Sequence, residues 1–138
     1  MILCGIDGSE NSERVAAAAI AQGKQTGAKV IFLSVIEDLS RFDPYYNASL
    51  ATEVYAEMEK FFNDTQQKFI QKAKEMGVSA ESLLKKGHPA QEILAVAAQT
   101  DIDMVVLGRH GHRIEDFLFG SNMHRVLIHG EKPTLIIP

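Results

Sequence analysis

Cysteine is nearly absent: the 138 residues hold one, Cys4. A lone thiol forms no internal disulfide, and its place in the apolar run 2–6 reads as a buried side chain in a reducing compartment, the cytoplasm. Basic charge is scarce as well. Fourteen Lys and Arg stand against eighteen Asp and Glu, for a formal charge of −4. Nucleic-acid binders need a basic face to neutralise phosphates, so nucleic acid is not an expected partner. No apolar run approaches the ~18 residues of a membrane span, and the opening MILCGIDGSE lacks the basic stretch of a signal peptide. Repeats, linkers and low-complexity segments are also missing, and the chain reads as one domain over residues 1–138. What is present is apolar: 46% of the residues. At this length that suffices for a core without a metal or disulfide staple.

The apolar pattern alternates between two periods. Residues 2–6 form a short run closed by Asp7-Gly8-Ser9, a buried strand and a turn. Ser9, Asn11 and Ser12 suit a helix N-cap, and the Ala-rich stretch 15–25 predicts a helix. Residues 30–36 are apolar on both faces, as a parallel strand between helices should be. The pattern lapses over 37–47, which reads as a surface loop. Leu50, Val54, Met58, Phe61, Phe62, Thr65, Phe69, Ala73 and Met76 then recur at helical spacing, which predicts one long amphipathic helix facing the core. A weaker strand over 78–84 follows. Gly87-His88-Pro89 reads as punctuation, with Pro89 suited to a first helical turn before a helix over 91–99. A strand over 102–107, a glycine-bearing loop over 108–119, a helix to about His129 and a last strand within 133–138 complete the order.

Strands separated by helices pair in parallel through right-handed crossovers. The expectation is an α/β fold: an open, twisted parallel sheet of five strands in the order 3-2-1-4-5, with helices on both faces. The winding reverses between the first and fourth strands, where open α/β sheets bind ligands. Two segments arrive there, Gly5-Ile6-Asp7-Gly8 and Leu107-Gly108-Arg109-His110-Gly111. Glycines let backbone N–H groups converge on an anion, and a helix opening at Ser121 adds unpaired N–H groups and partial positive charge. Arg109 and Arg113 add side-chain charge. The spacing matches neither the Walker loop GxxxxGK[ST] nor GxGxxG. An ordinary strand-to-loop turn, with Ser121 as a plain N-cap, accounts for the same residues.

The chain resembles the universal stress proteins over essentially its whole length. The resemblance is carried by ILCGIDGSENS (2–12), VIFLSVIE (30–37), KKGHPAQEILAVAAQTDIDMVVLGRHG (85–111) and FGSNMHRVLIHGEKPTLIIP (119–138). Nucleotide-binding members carry G-x2-G-x9-G-[ST] after the fourth strand; this chain has Gly108-x2-Gly111-x8-Gly120-Ser121, one residue shorter. The resemblance implies a small ATP-binding regulatory protein of the stress response, with Mg2+ as a companion of the nucleotide. Gly5, Ile6 and Asp7 would line the adenine and ribose, with Val35 against the base. Leu107, Gly108, Arg109, Gly111 and His112 would follow the ribose and phosphates, and Gly120, Ser121 and Asn122 would hold the phosphates. Asp7 suits a ribose hydroxyl or adenine amino group, and suits equally a turn residue in Asp-Gly-Ser. Alternatives are a nucleotide-free interaction module of the same fold and a slow ATP hydrolase.

Other polar groups point to little dedicated chemistry. His110, His112, His124 and His129 lack the convergence a metal site needs, and no metal is expected. Glu115 and Asp116 read as solvated loop carboxylates. No nucleophile-elbow pattern or base for phosphoryl transfer is evident, so no catalytic residue is expected. The last strand, Thr134–Ile137, is apolar, uncharged and bracketed by Pro133 and Pro138 at a sheet edge. Such an edge predicts a homodimer that pairs it with its copy, and the resemblance implies the same.

Overall fold

A computed structural model describes residues 1–38, 48–109 and 121–138. Strands and helices alternate as β1 (Ile2–Gly5), α1 (Ser12–Thr26), β2 (Val30–Glu37), α2 (Ala48–Glu75), β3 (Ala80–Gly87), α3 (Pro89–Ala97), β4 (Met104–Gly108), α4 (Ser121–His129) and β5 (Thr134–Ile137). All four strand pairings are parallel, and the order is β3-β2-β1-β4-β5, as expected.

The two faces follow from the period of two along each strand. Ile2, Cys4, Val30, Phe32 and Val106 pack under α1 and α2 against Val15, Ala19, Phe69 and Ala73. Leu3, Ile31, Leu33, Val105 and Leu107 pack under α3 and α4 against Ile93, Val96, Met123 and Val126. One polar side chain enters the first layer. Gln66 is fully buried, and the two protons of its Nε2 are shared among Phe32 O at 3.1 Å, Ser34 Oγ at 3.0 Å and Leu83 O at 3.1 Å.

Several details differ from expectation, and α1 and α3 start earlier, at Ser12 and Pro89. Residues 78 and 79 do not belong to β3, which runs on to Gly87. Gly77 N–H donates to Lys74 O at 3.0 Å and Val78 N–H to Ala73 O at 2.8 Å. That is the Schellman ending of a helix, and the buried Val78 side chain is its apolar partner. Ile102 is core but lies outside β4, in a turn where its N–H donates to Gln99 O at 3.2 Å. Along α2 the expected apolar face divides: Phe62, Phe69 and Ala73 are buried, whereas Val54, Phe61 and Met76 are exposed. A 28-residue helix is about 42 Å long and its 8-residue partner strands about 26 Å, so the helix outruns the sheet.

Candidate functional site

β1 and β4 lie side by side, with Cys4 opposite Val106, and their carboxyl ends open at the reversal of winding. Leu107 packs closely against Gly5 there. A Cβ on Gly5 would stand 2.6 Å from Leu107 Cδ2, so any side chain would displace a buried leucine. Val35 and Leu107 belong to the α3/α4 face of the sheet. Ile6 is turned to the opposite layer and buried; its N–H donates to Leu33 O at 2.8 Å and its carbonyl accepts Ser34 Oγ at 2.8 Å. Its hydrogen bonds thus serve the scaffold.

Beyond β1 the chain turns sharply into α1. Gly8 has φ 80°, a left-handed conformation that glycine adopts without strain, and its α-carbon lies against the Phe61 ring, leaving no room for a Cβ. Asp7 Oδ1 accepts from Ser9 N–H at 2.9 Å and from Ser12 Oγ at 3.0 Å, while Gly8 N–H donates to Ser12 Oγ at 3.1 Å. Asp7 is therefore a turn residue as well as an exposed carboxylate at the strand end. Asn11, expected as a candidate cap, makes no side-chain capping bond.

At the other side of the seam Gly108 pairs with Ile137, and Arg109 N–H donates to Ile137 O at 2.8 Å. The structure thus brings together Gly5, Asp7, Leu107, Gly108 and Arg109, with Val35 one strand further along the same edge. Ser121 starts α4 and Asn122 is half-buried in its first turn. Gly111, His112 and Gly120 lie outside the described residues, as do His110, Arg113, Glu115 and Asp116. His124 and His129 are exposed on α4. Among the described residues no three His, Cys, Asp or Glu side chains converge as a metal site. Burial pushes the Cys4 thiol far above its ordinary pKa, so it is an inert core group.

Two residues not singled out from the sequence also reach this edge. His88 directly precedes α3, and its Nε2 lies 3.4 Å from Nη1 of Arg125 on α4. The available signal was Pro89. A proline at the first helical position fixes residue 88 at the carboxyl end of the preceding strand. A separate groove on the α1/α2 side is lined by Gly8, Ser9, Glu10, Glu13, Phe61 and Lys68 among others. Glu10 and Glu13 give it acidic walls, and Lys68 is already paired with Glu13. That charge suits a phosphate poorly.

Sheet order, two-sided helical cover and a glycine seam at the reversal define a doubly wound α/β domain with its crevice between β1 and β4. The profile of the universal stress protein family matches residues 1–138, and the chain belongs to that family. It is 29% identical over 147 residues to universal stress protein Sll1388 of Synechocystis, covering 99% of this chain and 96% of that protein. The solved structure of protein MJ0577 of Methanocaldococcus jannaschii superposes with a TM-score of 0.83 at 22% identity, covering 99% of this chain and 93% of that one. The universal stress protein of Archaeoglobus fulgidus, solved in complex with dAMP, superposes with a TM-score of 0.73 at 20% identity, covering 99% and 96%. Among the described residues no helix is long and apolar enough to cross a membrane.

Proposed function

We propose that this chain binds an adenine nucleotide at the β1–β4 crevice and acts as a small regulatory protein rather than a turnover enzyme. The observation that carries the reading is the seam itself, where Leu107 packs against Gly5 so closely that a Cβ there would have to shift it, and the ends of two parallel strands deliver Asp7, Gly108 and Arg109. The dAMP complex of the Archaeoglobus relative supports the ligand class. Base and ribose would lie along Gly5, Asp7, Val35 and Leu107. The phosphates would run past Gly108 and Arg109 toward the start of α4, where Ser121 and Asn122 stand. Ile6 contributes as scaffold beneath them. ATP is the nucleotide that such a path favours, because the N-terminus of α4 attracts negative charge and extends beyond the ribose. Mg2+ would accompany the phosphates. The bound nucleotide and the residues around it would form a surface that a partner protein reads, in the cytoplasm where the Cys4 thiol stays reduced.

Calorimetric titration of the purified protein with ATP and AMP tests this reading, together with mass analysis of any nucleotide released on denaturation. Millimolar-or-tighter binding is the expected result. Absence of binding by both nucleotides, with none carried through purification, would leave the interaction module as the function.

A further inference from the structure

A pair of nitrogen-bearing side chains joins the two helices of the α3/α4 face. Arg125, in the second turn of α4, holds Nη1 3.4 Å from His88 Nε2. Among the described residues Arg125 has no carboxylate in ion-pair range. The carboxylate on α3's first turn belongs to Glu92, and it curls back against Gly87. His88 Nδ1 is enclosed by protein and has no hydrogen-bond partner.

The proton of a neutral imidazole sits on one nitrogen or the other. Placed on Nδ1, it makes an enclosed N–H without an acceptor, which costs the desolvation of that donor. The gain would be one contact of 3.4 Å to Arg125, longer than ordinary N–H hydrogen bonds. Placed on Nε2, the proton leaves Nδ1 an enclosed acceptor without a donor and sets two donors facing each other. Protonating both nitrogens keeps that arrangement and adds a second positive charge. An anionic oxygen seated between the side chains resolves it, accepting from the imidazole and from the guanidinium together.

The position of the pair narrows the anion. Arg125 is one helical turn beyond Ser121, and helical side chains lean toward the N-terminus of their helix. Arg125 therefore leans toward the end of α4 where the phosphates of the proposed nucleotide arrive. Resting on that nucleotide reading, we infer that Arg125 and His88 hold the outermost phosphate of a nucleoside triphosphate and give this chain its preference for tri- over monophosphate.

Titration of wild type, Arg125→Gln and His88→Gln with ATP, AMP and inorganic tripolyphosphate tests the pair, with thermal melting as a check on folding. Arg125 is exposed, so its variant should fold normally. Loss of a charge-assisted contact predicts about ten-fold weaker ATP binding in Arg125→Gln and about three-fold in His88→Gln, with AMP changed less than two-fold. Equal losses for ATP and AMP, or none for either, would overturn the inference while leaving the nucleotide site standing. If no adenine nucleotide binds wild type, that site fails separately, and tripolyphosphate decides the pair. Binding that Arg125→Gln abolishes supports it; no tripolyphosphate binding overturns it.

Discussion

Gln66 shows how much one buried polar group can organise. Its amide reaches carbonyls on two neighbouring strands, Phe32 O and Leu83 O, and the hydroxyl of Ser34 between them. Ser34 Oγ in turn donates to Ile6 O at 2.8 Å, so the chain of bonds runs from α2 to the end of β1. Removing the donor leaves those acceptors short of a partner in a layer closed to water, and truncation adds a cavity. Gln66→Ala is expected to cost about 3 kcal/mol and Gln66→Leu, which keeps the volume, about 1–2 kcal/mol, measured by urea unfolding. Equal stability of wild type and Gln66→Leu would show that the network contributes nothing beyond volume. The same residue explains a limit of sequence reading. Gln66 lies among polar neighbours at 64–68; its place between Phe62 and Phe69 on the buried stripe gives its face, but only the arrival of two strand carbonyls gives its partners.

At the scale of the element, α1 and α2 are tied on their outer surface by Lys68 Nζ and Glu13 Oε1 at 2.5 Å, with both side chains more than half exposed. The hydrogen bond and charge of Lys68, helped by Lys72, hold the Glu13 carboxyl below its ordinary pKa. A carboxyl whose folded pKa is depressed stabilises the fold above its unfolded pKa, and that contribution disappears as pH falls through the folded value. Exposure and salt screening keep the effect small. Lys68→Ala is therefore expected to melt slightly below wild type near neutral pH, with the difference shrinking to nothing well below the carboxylate range. A difference in Tm that persists in acid would assign the loss to Lys68 packing on α2 instead. The helix itself was legible, since its apolar residues recur at three- and four-residue intervals over 50–76. Which of them meet the core was not legible. Exposed Phe61 stands beside buried Phe62, and Ala51 near the start of α2 is buried, so the exact line of contact with the sheet decides which apolar residues are covered.

For the whole molecule, the open edge at β5 matters most. Its residues are half-buried, and Ile136 packs partly into the α3/α4 layer while Leu135 and Ile137 pack into the other. Arg109 bonds to Ile137 O, so by the alternation of the ladder Thr134 and Ile136 turn their backbone groups outward. An apolar edge with free N–H and C=O groups is a template for another strand, and a second copy satisfies it in an isologous pair. The expected assembly is a homodimer through Thr134–Ile137. Thr134→Pro removes one outward N–H without touching the bonds to β4, and the preceding Pro133 is already suited to extended backbone. Light scattering is expected to show the variant shifted toward monomer with its Tm nearly unchanged. A wild type that is monomeric at micromolar concentration would remove the prediction.

The alternation of short apolar runs with helical periodicity determined by itself that this chain is a parallel α/β fold, because a crossover helix leaves parallel pairing as the only short connection. From that order and the glycines at 5 and 108, the seam between the first and fourth strands was also readable. The family's residues at that seam could be placed by number, and the ends of β1 and β4 that carry Gly5 and Leu107 do lie side by side. Contacts that the sequence reading did not place decided three other things, one of them local. They showed that Ile6 is spent on the scaffold, that Val78 closes a helix instead of opening a strand, and that His88 faces Arg125. Each depends on a contact between segments 5 to 37 residues apart in the chain. A sequence records the period and chemistry of each segment, but the distance across which two segments meet is set by packing.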